Sequence, residues 1–370
     1  MCPSERMCPV WTSTAIGPPP PFGDAPCTAP EGSVEDTISA ASGSNAARER
    51  PARDRGECHA VTRVPERGKD ELSDLARRFN DMGSRIADLV NSFNTSSQIS
   101  MSISLAGTNF FQVGSKVSQY AVSNSGAITF AGTTGGNNPL TYQAQKDLFN
   151  QSQTGLFDAA FAGISSSSIT NSDFLNNILL TSPALATTFP ATTLGNQLRM
   201  VARLIAASTA LGLKRQVFFV QLGGWDLHAS QVDQTNQLLG AHASLLAQLS
   251  QGLNAFYNAT VELGVANQVT AFTASDFGRT YRSNGDGSDH AWGNHHLIVG
   301  GAVKGGDIYG KVPDLTINGP DDTGQGRWIP TISVDEYAAT LATWFGVSAT
   351  DLPTVLPNID RFAKPNLGFL

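Results

Sequence analysis

The chain has 370 residues, enough for one large domain or two small ones, and its formal net charge is −7. Few Lys and Arg residues and this negative charge argue against a nucleic-acid-binding protein. No apolar run approaches the roughly 18 residues of a membrane-spanning helix, and no N-terminal stretch has the basic start and apolar core of an export signal. We therefore expect no integral membrane segment and see no signal peptide in the chain.

The beginning of the chain differs in composition from the rest. Residues 1–70 contain 10 of the 19 prolines and all four cysteines, with no apolar periodicity. Such a segment does not bury enough apolar surface to offset its chain entropy. The cysteines lack metal-site spacing and leave no disulfide framework for the remainder. We predict that residues 1–68 are a disordered leader rich in Pro and Arg.

An amphipathic helix is predicted over residues 69–93, where apolar side chains recur every three or four residues. Its first part, DELSDLARRFNDM at about 70–82, resembles the second helix of a HAMP signalling linker. That resemblance implies a dimeric coiled coil that follows a membrane helix. The match is short and no membrane helix precedes it, so we expect a plain helix.

The remaining elements alternate between strand and helix patterns. Strands are predicted at Met101–Leu105, Phe110–Val113, Ala127–Phe130, Gln216–Leu222, Val269–Thr273 and Leu297–Gly301, and helices at 141–165, 171–182, 193–212, 232–263 and 336–345. A buried strand, a long helix and a second buried strand predict a right-handed parallel crossover. The fold class is therefore α/β, with a mostly parallel sheet sandwiched by helices.

Two stretches that follow predicted strands carry the candidate chemistry. Asp226 and His228 lie two residues apart, so on an extended segment they point to the same side. Asp289 and His290 form an adjacent pair in a later Gly-rich loop. In such sheets ligands bind beyond the carboxyl ends of the strands. Carboxylate and imidazole are ligands for zinc and similar divalent metals, so these residues predict a metal site.

Plainer roles are open for the same side chains. A loop Asp often caps a turn or a helix. His295 and His296 either pack or hydrogen-bond, and at most one of them faces inward from the start of a strand. Arg279 either clamps an oxyanion or pairs with Asp276.

Several separated motifs, in order, resemble the family called domain of unknown function 1501. They are ISLAGTNFFQVG, QLGGWDLH, TASDFGRT, GSDHAWGNHHLIVGG, GGDIYGKVPDL and LATWFGVSATDLPTVLPNIDRF, and the resemblance covers about 83–370. It implies an alkaline-phosphatase-like fold, as in sulfatases, and hydrolysis of small phosphorylated or sulfated esters with one or two divalent metals. Such proteins are periplasmic or extracellular.

The resemblance also implies roles for individual residues. Asp226, His228 and His290 would hold the first metal, with Asp289 beside them, and Arg279 would steady the anionic substrate. Asp276 would serve a second metal, but Phe277 stands where a His is usual.

The strand that carries the nucleophile and another metal ligand is not found before residue 83, so we expect an N-terminally incomplete domain. The predicted function is a metal-dependent phosphate or sulfate ester hydrolase that is weak or inactive in this form. The alternative is a noncatalytic exported binding or assembly protein with the same fold.

Overall fold

The structure is a computed structural model. The chain comprises two units, Met1–Pro18 with Lys69–Leu370 and Pro19–Gly68. The second unit lies outside the described residues, as does the HAMP-like stretch at 70–82. The described ranges, the first of them as backbone only, are 8–15, 83–94, 98–109, 111–112, 114–129, 138–236 and 238–370.

A seven-stranded sheet organises the chain, and a separate hairpin extends from it. The sheet strands are β1 (Cys8–Ala15), β2 (Ser102–Ser104), β3 (Tyr120–Ser123), β4 (Gly126–Ala127), β5 (Arg215–Leu222), β6 (Val269–Thr273) and β9 (Ile298–Gly300), and the hairpin is β7 (Gly278–Ser283) with β8 (Ser288–Ala291). The strand order in the sheet is β4-β3-β2-β5-β1-β6-β9.

Helices connect these strands. They are α1 (described over 83–90), α2 (Asn138–Phe149), α3 (Leu156–Thr181), α4 (Thr193–Ala206), α5 (Ala241–Glu262), α6 (Val334–Phe345) and α7 (Leu352–Val355), with 3-10 turns at Asn91–Phe93, Ala266–Gln268 and Ile359–Arg361. None of the described helices combines the length and apolar character that crossing a membrane requires.

The sheet is mixed, which corrects the prediction of a mostly parallel one. β2 runs parallel to β3 and to β5, whereas the β3–β4, β1–β5, β1–β6 and β6–β9 pairs are antiparallel. Because β5 and β6 both run opposite to β1, they share one direction, and α5 connects them. The predicted crossover is therefore present with one strand inserted in it. The carboxyl ends of β5 and β6 face the same edge.

The inserted strand differs from the predicted disordered leader. Cys8–Ala15 pairs with β5 over all eight residues and with β6 from Val10 to Thr14. Two buried strands with a gap between them present unpaired N–H and C=O groups that a third strand satisfies. Val, Trp and Thr residues in this stretch favour that conformation. Composition averaged over the first 70 residues obscures so short a segment.

The core packs around β5 and α4. Phe218 and Val220 of β5 are fully buried, and seven of the eight β5 residues are buried, as expected for the predicted strand covered on both faces. The predicted apolar face of α4 is also buried, and Gly252 of α5 lies so close that an added Cβ would be 3.2 Å from Leu194 and Leu198. These contacts fix β5 and the start of the loop that follows it.

Several predicted bounds were wrong. The helices predicted at 141–165 and 171–182 are α2 (Asn138–Phe149) and α3 (Leu156–Thr181), so the break between them lies at 150–155. In the stretch predicted as a strand at 110–113, Phe111 and Gln112 lie in a turn, because the buried Gln112 amide donates to backbone carbonyls of β2 and β5. The helix predicted from 232 begins at Ala241, since Asp233 caps a turn and Gly240 adopts a φ of 116°. The Gly-rich loop predicted after β6 forms the β7–β8 hairpin.

Candidate metal centre

The candidate site lies where β5 and β6 end. β5 continues into a loop at 223–231, and β6 continues into the β7–β8 hairpin, whose turn spans 284–287. Two hydrogen bonds join the loop to the turn: Ser230 N donates to Asp286 Oδ2 at 3.0 Å, and Gln231 N donates to the Asp286 carbonyl at 2.8 Å. The loop and the hairpin therefore form one unit at this edge of the sheet.

Glycine at 287 allows the two segments to touch. A Cβ built there would lie 2.4 Å from the carbonyl carbon and oxygen of His228 and 2.7 Å from Ala229 N. Real Cβ atoms do not approach backbone so closely, so any larger residue would separate the segments. Asn284 Nδ2 also donates to the His228 carbonyl at 3.1 Å. Both contacts fix the backbone of His228 against the hairpin.

Trp225 anchors the beginning of the loop. Its Nε1 donates to the Leu222 carbonyl at 2.9 Å, and its ring meets His242 of α5 edge-to-face at 5.7 Å. Burial, together with the charge of Arg279, lowers the pKa of His242, so this imidazole is neutral at pH 7. The turn also uses Gly224 at a φ of 89°. The side chain of the next residue, Asp226, is thereby held at the sheet edge.

Asp226, His228 and His290 come together as the sequence predicted. One ligand atom from each lies within 4.8 Å of the others. Asp226 Oδ1 is 2.9 Å from His228 Nε2 and 2.7 Å from His290 Nε2. The first two side chains come from the loop after β5 and the third from β8, so the shared direction of β5 and β6 produces the cluster.

The three side chains fit a divalent metal. A carboxylate and two imidazoles form a donor set that zinc and similar ions take, with an open position left for a fourth ligand. Tetrahedral ligands at about 2.0–2.1 Å from zinc lie roughly 3.3 Å from one another, so the present contacts need to open by about half an ångström. The side chains are 35–49% exposed, so an ion reaches them directly from solvent.

Arg279 contacts the site carboxylate. Its Nη1 donates to Asp226 Oδ1 at 3.0 Å, while Nε donates to Ser288 Oγ at 3.1 Å and Nη2 to the Ser288 carbonyl. Partial burial acts to raise the pKa of Asp226, but hydrogen bonds from His290 and Arg279 and the nearby histidine charges outweigh it. The pKa of Asp226 is therefore below its ordinary value. The structure thus pairs Arg279 with Asp226, whereas the sequence offered Asp276 as the alternative to an oxyanion clamp.

Asp289 lies behind the cluster rather than in it. Its Oδ1 is 3.4 Å from His228 Nδ1, the ring nitrogen that faces away from Asp226. Asn284 Nδ2 donates to the same oxygen at 2.9 Å. Hydrogen bonds from Asn284 and His228 lower the pKa of Asp289 and keep it ionised. A carboxylate on the remote nitrogen of a ligating His fixes the tautomer and the orientation of the ring.

Phe277 packs on a member of the cluster. Its ring stacks on His290 with centroids 4.1 Å apart and an interplanar angle of 15°. The residue that stands where a second-metal His was expected therefore forms a wall that orients His290. Asp276 is exposed and does not join the described group of ligand atoms.

The two later histidines also lie outside that group. His296 stacks with Tyr337 at 5.8 Å, and its Nδ1 is 3.3 Å from Thr273 Oγ1, which agrees with the packing interpretation. His295 is exposed.

Sequence reasoning missed several supporting residues. Ser288 is buried and donates to Gln231 Oε1 at 2.6 Å, which links the hairpin to the loop. Asn284 holds both Asp289 and the His228 backbone. These polar residues have no fixed spacing from the ligands, so their roles depend on the hairpin that brings them near. The Asn and Gly residues at 284–287 were the available turn signal.

Residues 176–327 match the family model described as protein of unknown function (DUF1501). The DUF1501 match supports the family named from the sequence motifs, over a shorter span than they suggested. It includes β5, β6, the β7–β8 hairpin and all three clustered residues. No curated protein and no solved structure matches the chain.

Proposed function

We propose that this chain binds one divalent metal, zinc or a similar ion, through Asp226, His228 and His290. The observation that carries the proposal is the gathering of three ligand atoms within 4.8 Å of one another. Asp289 and Phe277 would hold the two imidazole rings, and Arg279 would hold the carboxylate. These three contacts restrict the orientations of the ligating side chains, which preorganises the site for an ion.

We further propose that the site descends from metal-dependent phosphate or sulfate ester hydrolases and that turnover is weak or absent. When bound, such a metal polarises an ester oxygen and lowers the pKa of a coordinated water. The family resemblance supports this assignment, an alkaline-phosphatase-like ancestry and a periplasmic or extracellular location. Small phosphorylated or sulfated esters are the substrate class it suggests.

The contacts of the chain's own residues support weak activity. Covalent ester hydrolysis needs an activated hydroxyl beside the metal ligands. The hydroxyl of Ser288, which contacts Arg279, is buried and donates to Gln231, so it is unavailable for attack. Three of the five N–H groups of Arg279 already donate within the protein, which reduces its capacity to bind an anion. Phe277 supplies no ligand for a second metal.

Calorimetric titration of the metal-free full chain with zinc chloride tests the proposal. His228→Ala and His290→Ala should each weaken binding at the site by about a hundredfold, because each removes one of three ligands. His295→Ala is the matched control, since His295 is exposed and lies outside the cluster. Thiolates also bind zinc, and the chain has four cysteines. Zinc binding at the site is therefore the difference between the zinc bound by the wild type and the zinc bound by the variant.

Two results would contradict the proposal. Equal zinc binding by wild type and both His variants would remove the metal site. Metal-dependent turnover of 4-nitrophenyl phosphate or 4-nitrophenyl sulfate that disappears in both variants would keep the site but overturn weak activity. Stoichiometric binding without turnover is the expected outcome.

A further inference from the structure

An apolar surface lies on the first half of α3. Phe157, Phe161 and Ile164 recur at spacings of four and three residues, which places them along one side of the helix. They are 81%, 65% and 72% exposed, and Leu156 beside them is 82% exposed. We call these four residues the α3 face. Exposed apolar patches of several hundred Å² mark interaction sites on soluble proteins.

Phe161 also meets Phe149 of α2 edge-to-face, with ring centroids 5.9 Å apart and an interplanar angle of 72°. This contact holds the Phe161 ring at the α3 face, although 65% of the residue stays exposed.

The α3 face has the size of an interface core. A standard interface takes about 800 Å² from each partner, of which about 60% is non-polar, so roughly 500 Å² of apolar surface is needed. Four Leu, Ile and Phe side chains exposed to 65–82% supply roughly that area. The α3 face is therefore large enough to form the centre of a stable contact by itself.

The charges around the α3 face favour a protein partner. α3 contains no Lys or Arg, and its two acids are Asp158 and Asp173. Asp173 is already paired with Lys146 at 3.1 Å and accepts a hydrogen bond from Tyr142. Anionic membranes and nucleic acids attract basic segments, so this helix lacks the charge that either would need.

We propose that the α3 face binds the α3 face of a second copy of this chain, with the two helices antiparallel about a two-fold axis near Phe161. Such an isologous contact sets Phe161 against its equivalent and Phe157 against Ile164 of the second copy. With a rise of 1.5 Å per residue, the two Asp158 side chains would lie about 9 Å apart along the axis. That separation is comparable to the Debye length at physiological salt, so their repulsion is weak.

Sedimentation equilibrium of the full chain across micromolar concentrations tests the proposal. Wild type should dimerise, and Phe161→Asp should weaken the dimer by about a hundredfold or more, because it places two carboxylates at the centre of the contact. Leu180→Asp is the matched control: Leu180 is on the same helix, 82% exposed, and outside the α3 face. It should dimerise like wild type.

A second variant separates association from folding. Ile164→Ala replaces a β-branched residue that is 72% exposed by the best helix former, so thermal unfolding of the dilute monomer should occur at an equal or higher temperature. The variant also removes apolar contact area next to the two-fold axis, so dimerisation should fall by about tenfold or more. A wild-type chain that stays monomeric, with or without binding to lipid vesicles, would overturn the proposal. A dimer that survives both Phe161→Asp and Ile164→Ala would overturn it equally.

Discussion

Asp88 and Asp226 are two carboxylates with lowered pKa values. Asp88 holds a turn of the scaffold, whereas Asp226 belongs to the candidate metal site. Asp88, on α1, receives four hydrogen bonds at its two oxygens. Ser115 N and Oγ donate to Oδ2 at 2.7 Å each, while Lys116 N and Val117 N donate to Oδ1 at 2.8 and 2.7 Å. Three of these donors are backbone groups of one short turn.

Asp226 is held differently. His228, His290 and Arg279 all contact a single oxygen, Oδ1, through side-chain nitrogens. These donors come from a loop and a hairpin that are far apart in sequence. Backbone donors are fixed once the turn has formed. The side chains around Asp226 can rotate, so a metal ion can take the place of the hydrogen bonds between them. A lowered pKa therefore does not distinguish scaffold from site, but the kind of donor does.

The largest effect should come from Gly287, the glycine at which the site loop meets the hairpin. In Gly287→Ala, the new Cβ meets the backbone of His228 at 2.4 Å, and backbone cannot move aside without separating loop and hairpin. We expect a loss of about 1–3 kcal/mol in the free energy of unfolding and at least about tenfold weaker zinc binding. Urea unfolding and calorimetric titration measure the two effects.

Two other glycines supply the controls. In Gly114→Ala, the Cβ meets the Asp88 carboxylate at 2.3 Å, and that side chain can turn away. Stability should fall by less than in Gly287→Ala, by about 1 kcal/mol, with zinc binding unchanged. Gly223→Ala lies in the site loop but meets nothing within 4 Å, so it should change little. Equal zinc affinity in Gly287→Ala and Gly223→Ala would show that the close approach does not support the site.

The sequence predicts the central strands of the fold because their signal is local. β6 has the predicted bounds, and β5 begins one residue earlier than predicted, since both are short apolar runs buried in the sheet. β1 and the β7–β8 hairpin have no such signal. β1 exists because two strands leave a gap between them, and the hairpin strands are polar sequences that pair after the chain has turned back. Tertiary context, which a local pattern does not contain, decides both.

The candidate site also has some contacts that the sequence predicts and others that it does not. The meeting of Asp226 and His228 with His290 follows from two strands with a common direction, whereas the choice of these three residues as one set of ligands came from the family resemblance. The ion pair between Arg279 and Asp226 was not predictable, because Asp276 is much closer in sequence. The stacking of Phe277 on His290 was not predictable either. From the sequence, Phe277 indicated only that a ligand of a second metal is missing.

Asp88→Ala should have an intermediate effect, confined to stability. Removing the carboxylate leaves three backbone N–H groups and one hydroxyl without their acceptor, but these groups are partly exposed and bind water. We expect a loss of about 1–2 kcal/mol, measured by urea unfolding. Zinc binding should be unchanged, and a change would couple this turn to the site.

The contribution of Asp88 to the free energy of unfolding depends on pH, and the sign of this dependence follows from its pKa. Partial burial acts to raise the pKa of Asp88, but the hydrogen bonds from Ser115, Lys116 and Val117 outweigh it and lower the pKa. A folded-state pKa below the unfolded value of about 3.9 stabilises the fold above that pH, and the contribution disappears as pH falls through the folded pKa. Wild type should therefore lose stability below about pH 4 more steeply than Asp88→Asn. Parallel curves would contradict the assignment.

The smallest effect on stability should come from Asp226→Asn, although Asp226 is central to the candidate site. Its side chain is 35% exposed and its two histidine partners are nearly half exposed, so the contacts are close to surface ion pairs, which contribute about 0–1 kcal/mol. Arg279 is 16% exposed and keeps its two contacts to Ser288 when the charge of Asp226 is removed. In the presence of a chelator, the free energy of unfolding should therefore change by less than about 1 kcal/mol. Added zinc should raise the unfolding temperature of wild type and not that of Asp226→Asn, because only a native state that binds the ion is stabilised by it. A loss above about 2 kcal/mol without metal, together with no zinc response in wild type, would make the cluster an ion-pair network of the scaffold, and Asp226 would then be equivalent to Asp88.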